Sequence, residues 1–410
     1  MTRYPIRNPP RHPTRRRFLS TGAAASAGFL AGCLDRAGED DADGIEDPTD
    51  LPQVSDPPDA VYVPTHREGM EHLGPVEAGE YVVGAMVSYA HPFWTITGDA
   101  VEPVAVGEDD DVHLMATVWD RETETVVPAD EGITMTVLHD GDPVETITPW
   151  SMLSQTMGFH FGDNVPLGGD GTYELEIALP PPAIRRTGEY AGRFESFETA
   201  TLEFTYDQSL REGLVDGIQF VDEEHWGVPG ALEPGHGGGE MDGHGDHDEM
   251  DGHDPAHESD GADGHHALPV TTLPDPEDLP GTLQHDAEAP PRSGDADVVV
   301  SVAESFEDWS PYLIVSPRTP YNAIPLPEMT ISVVATRDGD EVASGQCGPT
   351  FDDRAGFHYG AGIEGFDGGD LAAGDELVVH VDAPPQVARH QGDETAFVDM
   401  ESIELTVRGW

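Results

Sequence analysis

The chain contains no lysine. Its 19 basic residues are all arginine, set against 80 aspartates and glutamates, and the formal charge is −61. That imbalance excludes nucleic acid as a partner, because an anionic surface repels phosphate and no basic patch interrupts it. Cysteine is almost missing. Cys33 and Cys347 are the only two, and Cys33 follows directly on an export leader as a lipidation site, so no internal disulfide staples the fold. Long apolar runs are missing too: the Ala/Gly-rich stretch 21–32 is too short to span a bilayer. No long amphipathic helical period, phosphate loop, nucleophile–base pair or zinc-hydrolase motif is present. These absences point to a non-enzymatic protein.

What is present begins with export. Thr14-Arg15-Arg16-Arg17-Phe18-Leu19-Ser20 matches a twin-arginine signal, with Arg15 and Arg16 as its pair. Leu30-Ala31-Gly32-Cys33 resembles a lipoprotein cleavage box, which makes Cys33 the lipidated first residue of the mature protein. The expectation is a protein on the outer face of the cytoplasmic membrane, held there by lipid on Cys33. Removing residues 1–32 leaves 13 arginines against 80 acids, a charge of −67. Self-repulsion on that scale is tolerable where the Debye length shrinks to ~3 Å, at molar salt. The composition resembles that of proteins from extreme halophiles such as haloarchaea. Most of the carboxylates therefore read as solvated surface and say little about metals.

Composition divides the chain. Residues 33–74 are rich in Asp, Gly and Pro and read as a disordered acidic tether. Within 75–208, alternating or apolar runs at 81–87, 112–119, 132–138, 172–179 and 200–206 predict strands, separated by Gly, Asp and Pro turn signals. Residues 209–291 form a His-rich acidic linker whose low apolar content predicts disorder. Residues 292–410 repeat the strand pattern at 298–303, 312–316, 330–336, 376–381 and 402–407. Short strands with regular turns predict an all-β protein of two Ig-like β-sandwich domains joined by a disordered His/Asp/Gly-rich linker.

The two halves share words. Gly158-Phe159-His160-Phe161-Gly162-Asp163-Asn164-Val165 returns 198 residues later as Gly356-Phe357-His358-Tyr359-Gly360-Ala361-Gly362-Ile363. Asp140-Gly141-Asp142 returns as Asp338-Gly339-Asp340 at the same offset. One domain plan is used twice, and its repeated histidine is either a metal ligand or a structural residue of the turn. In the first copy, His113 and Met115 share a strand face, and Met152 and Met157 lie just upstream of His160. Imidazoles with thioethers suit copper, and thioethers favour Cu(I).

The first copy resembles the family of periplasmic high-affinity iron-transport proteins, which are copper-binding and Ig-like. The resemblance rests on Asp111-Val112-His113-Leu114-Met115-Ala116, the Gly158–Val165 motif, Gly171-Thr172-Tyr173 and Pro180-Pro181-Pro182, and it covers roughly residues 80–208. It implies copper at His113, His160 and Met152, the last displaced by one residue from the family register, with iron as cargo and an iron permease as partner. It also implies a strand Glu, replaced here by Met115, and a third histidine after the Pro-Pro turn, where Ile184-Arg185-Arg186-Thr187 stands instead. Family members often dimerise, so a homodimer stays open. The second copy reads as a degenerate repeat. It keeps His358 and places His390 after its own Pro-Pro turn, so that Cys347, His358 and His390 form a second candidate site. Pro311 and Thr350 stand at its His113 and Met152 positions.

The linker is a separate signal. His236, His244, His247, His253, His257, His265 and His266 can hold zinc or copper fluxionally. The leading reading is an extracytoplasmic, lipid-anchored metal-binding protein assisting iron uptake, with a His/Met copper site in the first sandwich. A copper or zinc scavenger or chaperone unrelated to iron, and a structural cell-surface β-sandwich protein, are the alternatives.

Overall fold

The computed structural model describes Pro48 and residues 51–128, 132–234 and 268–410. Expectations for the leader, Cys33 and the seven linker histidines lie outside these residues. Among the described residues, no helix is long and apolar enough to cross a membrane.

The fold is all-β, in two sandwiches. In the first, β1 (Met70–Ala78), β2 (Tyr81–Tyr89), β3 (Phe93–Thr97), β4 (Ala100–Val104), β5 (Val112–Asp120), β6 (Thr134–His139), β7 (Asp142–Ile147), β8 (Trp150–Ser154), β9 (Gly158–Val165), β10 (Gly171–Leu179), β11 (Arg185–Arg186) and β12 (Glu198–Tyr206) follow in order. A nine-residue helix, α1 (Gln208–Asp216), comes next, its N-terminus capped by Asp207. The second sandwich comprises β13 (Ala296–Ala303), β14 (Tyr312–Arg318), β15 (Thr330–Arg337), β16 (Asp340–Asp352), β17 (Gly356–Gly362), β18 (Glu376–Ala383), β19 (Ala388–Arg389) and β20 (Ile403–Thr406).

The two layers of the first sandwich are β12-β10-β6-β7 and β1-β2-β5-β9-β8-β19-β3-β4. Their burial patterns differ for a physical reason. In β12, Ala200, Leu202, Phe204 and Tyr206 are buried while Glu203 and Thr205 are exposed, so one face is core and the other meets water. Every residue of β5 is buried. Val112, Leu114, Ala116 and Val118 enter the core, and the opposite face, with His113, Met115 and Thr117, must be covered by other chain.

Part of that cover comes from the other sandwich. The two-residue strand β19, which follows the Pro384-Pro385 turn, pairs in parallel with β8 of the first copy, Ala388 beside Met152. Its counterpart β11 pairs in parallel with β16 of the second copy, Arg185 beside Thr350. Each copy thus sends the segment after its Pro-Pro turn onto its neighbour, and the two are related as a dimer within one chain.

The repeat is exact in its turns. Asp140-Gly141 and Asp338-Gly339 all have positive φ, from 54° to 88°, which a two-residue hairpin turn demands. Gly158 and Gly356 have φ of 67° and 65°, so the glycine opening each repeated motif is required by its backbone.

Three expectations are corrected. Residues 51–74 are not tether: Tyr62 is fully buried, and 66–67 pair with 219–220. Residues 209–234 and 268–291 are not linker either: α1 packs Leu214 into the core, and 282–283 pair with β13. These segments look disordered by composition because their few apolar residues lack periodicity, yet tertiary contacts hold them. Finally, cross-strand register sets Tyr312, not Pro311, at the place of His113. Gly362 faces Tyr312 as Asn164 faces His113, so the offset grows by one residue along β14.

Candidate metal centre

His113 on β5 and His160 on β9 project from the outer face of the large sheet. Met152 on β8 lies directly across from His160. Gly162 forms the floor between them: a Cβ there would stand 2.9 Å from both His113 Nε2 and Met152 Sδ. His91, in the connection from β2 to β3, lies against His113 with the rings tilted at 42° and a centroid separation of 4.2 Å. His390 arrives on the crossing segment just after β19 and closes the cluster, its Nε2 3.2 Å from that of His160. Glu68 lies behind, with Oε1 3.7 Å from His390 Nδ1. Glu68, His91 and His390 each offer a ligand atom within 4.8 Å of the others.

The tautomers are fixed by the second nitrogen of each ring. His160 Nδ1 donates to the carbonyl of Gly158 at 3.0 Å. His91 Nδ1 donates to the Pro92 carbonyl at 3.1 Å. His113 Nδ1 donates to Asn164 Oδ1 at 2.9 Å, and Asn164 is oriented by giving its own amide hydrogen to the His91 carbonyl. The Nε2 lone pairs of His91 and His113 are therefore bare and buried, while that of His160 faces His390 Nε2. His91 Nε2 and His113 Nε2 have no hydrogen-bond partner at all, and neither has His390 Nδ1.

The rings of His91, His113 and His160 resist protonation. Burial, with His390 close by, pushes His160 down to about 3. Burial likewise lowers His91 to about 4 against the pull of Glu68. His113 is held well below its ordinary value, first by burial and then by His91 and His390. A buried acceptor with no donor is unfavourable by ~1–3 kcal/mol. A cation supplies what protons cannot, so neutral imidazoles with one thioether fit copper.

His390 is held by a stiff support. Arg389, fully buried, donates to the carbonyls of Pro385, Val387 and Ala396 and sits over the Phe397 ring. The crossing histidine is thus positioned by a side chain beside it.

The second candidate site is not assembled. His390 leaves for the first sandwich, and Cys347 packs in the hydrophobic core, its thiol pushed up to about 12 by burial. His358 stays on the outer face, its Nδ1 bonded to the Gly356 carbonyl as His160 is to Gly158, and its Nε2 3.2 Å from the Tyr312 hydroxyl. Arg185, crossing from the first copy, donates to Tyr312 Oη, Thr350 Oγ1 and the Gly360 carbonyl at 3.2–3.4 Å and lies over Trp309. A cationic side chain thus occupies the place equivalent to the space between His113, Met152 and Gly162 in the first copy. The repeated histidine bonds its own turn in both copies and faces another histidine in one.

Met115 and Met157 share the outer face with the histidines but pack with Met86. His91 and Glu68 escape sequence reasoning, since neither belongs to the repeat or to the motif quoted above. A histidine following a strand and preceding Pro92 was the one available signal for His91.

Comparison with known proteins adds the following. A family of domains of unknown function, DUF7350, matches residues 277–406, the second sandwich. No curated protein matches the chain. A copper-bound variant of FetP from uropathogenic Escherichia coli strain F11 is similar at 23% identity and a TM-score of 0.27, covering 33% of this chain and 97% of its own. FetP of the same strain as isolated is similar at 21% and 0.25, covering 33% and 95%.

Proposed function

We propose that this chain is an extracytoplasmic, lipid-anchored metal carrier that holds copper between its two sandwiches and assists iron uptake. The observation that carries it is the meeting of the buried, unpartnered His113 Nε2 with the Met152 thioether over Gly162, beside the rings of His91, His160 and His390. His113, His160, His390 and Met152 hold the metal, with His91 beside them. Glu68 faces His390 and supports it as a carboxylate does in carboxylate–histidine–metal arrangements. Copper bound there supplies one-electron redox chemistry. The protein's part is to fix the tautomers, exclude water and keep the imidazoles neutral. It is a carrier, not an enzyme.

Iron as cargo and an iron permease as partner rest on the motif resemblance of the first copy. The exchange of β11 and β19 within one chain supports a self-contained protein over a homodimer. Met152 favours copper over zinc, which counts against a zinc scavenger.

The test uses the full chain in molar salt. Copper is titrated into it and into His160→Ala and His390→Ala, and the tight copper is counted and its ligands read by X-ray absorption. One tight copper with nitrogen and sulfur neighbours, lost in both variants, is expected. Equal tight copper in all three proteins would sink the site. Unimpaired iron-limited growth of a strain lacking the protein would remove iron from the reading and leave a copper carrier.

A further inference from the structure

Beside the histidine cluster lies a second group of soft donors. Met86 on β2 and Met115 on β5 are cross-strand partners. Both are 1% exposed, and Met157, from the turn before β9, packs with them at 9% exposed. Met70 and Leu268 lie against the same cluster. Gly84 makes room for this cover: a Cβ on it would collide with the Leu268 side chain.

Methionine is scarce in the chain, 11 in 410 residues, yet four meet at this spot. The main core uses Val, Leu, Ile and Phe, with Met135 and Met329 as its methionines. Methionine fills irregular gaps singly, but its flexibility specifies packing weakly, so a cluster of four is not explained by packing precision. It is a good choice for holding a soft ion. Neutral thioethers bring no compensating charge, and the desolvation penalty rises steeply with ionic charge, so such a site excludes divalent ions and admits a monovalent one.

We propose that Met70, Met86, Met115 and Met157 form a second metal site, specific for a soft monovalent cation of the Cu(I) class. It stands beside the histidine centre: Met115 faces Gly162 across the β5–β9 pair, and Gly162 is the floor of that centre. Met157, the most exposed of the cluster's buried methionines, marks its open edge. The thioether site stores or passes on copper in its reduced form, while the histidine cluster lies one residue pair away on the same sheet.

The experiment uses the full chain carrying His160→Ala and His390→Ala, so that the histidine centre is disabled, with its methionine methyl groups labelled with carbon-13. Ag(I), a redox-inert stand-in for Cu(I), is added in molar salt made with a non-halide anion. The expected result is that one equivalent shifts the methyl signals of Met70, Met86, Met115 and Met157 together and leaves core Met135 in place. Adding Met86→Leu and Met115→Leu, which preserve apolar volume, should weaken this binding at least ~10-fold. Four unmoved methyl signals in the methionine-intact protein would overturn the proposal, whatever the leucine variant does. Failure of the histidine centre is read separately, as an unmoved Met152 methyl signal when copper is added to the parent chain.

Discussion

Gly162→Ala tests the site without removing a ligand. The new methyl carbon would lie 2.9 Å from His113 Nε2, 2.9 Å from Met152 Sδ and 3.2 Å from the Leu114 carbonyl oxygen. Ordinary contacts begin near 3.4 Å, so both ligand atoms must retreat by about 0.5 Å, and the backbone oxygen leaves the methyl nowhere else to go. Metal–ligand distances tolerate only about ±0.2 Å. The displacement should lower copper affinity ~10–100-fold, the range seen when the shell around a metal is disturbed, or about 1.4–2.8 kcal/mol. Gly162 does not have positive φ, so alanine brings no backbone strain, and the metal-free fold should lose only ~1–3 kcal/mol from overpacking. The assay is competition with a chromophoric copper chelator in molar salt, paired with thermal unfolding of the metal-free protein. An affinity within about twofold of the parent, in a protein that still folds, would refute the placement of the metal between His113 and Met152.

Other outcomes follow from the same geometry. His390→Ala should abolish tight copper binding, whereas Arg185→Ala should leave copper binding intact and lower stability by ~1–3 kcal/mol through the unsatisfied Tyr312, Thr350 and Gly360 groups; denaturant unfolding and metal counting separate the two. Arg389→Met should weaken copper ~10–100-fold while every ligand remains, since the carbonyls that hold the crossing segment lose their donor; chelator competition reads it. His358 carries a pH signature. Burial lowers it to about 4 from 6.5, so below pH 6.5 the unfolded chain takes up a proton that the native state refuses. Its contribution is present above 6.5 and is lost as pH falls towards 4. The destabilisation of His358→Asn should therefore shrink by about 2 kcal/mol between pH 7 and pH 5; equal destabilisation at both values would contradict a neutral buried ring.

Much of this protein was written along its chain. Five strands of each sandwich follow from apolar periodicity, the hairpins from Asp140-Gly141 and Asp338-Gly339, and the doubling from a motif repeated at one offset, whereas β8 and β9, whose glycines, histidine and methionines break the apolar pattern, do not. His113 could be named from strand parity, His160 from the repeated motif, and Met152 from its place just upstream of that motif and the motif's resemblance. What the sequence could not decide is which sandwich a ligand serves. His390 sits by sequence in the second copy and by contact in the first, because a parallel pairing of β19 with β8 forms between residues more than two hundred positions apart. Arg185 makes the reverse crossing and turns the other pocket into a hydrogen-bonded cluster. Local periodicity determines which residues face outward from each sheet. Only the packing of one sheet's outer face against the other copy's crossing segment determines that, in one case, the outward face becomes a buried cluster of histidines.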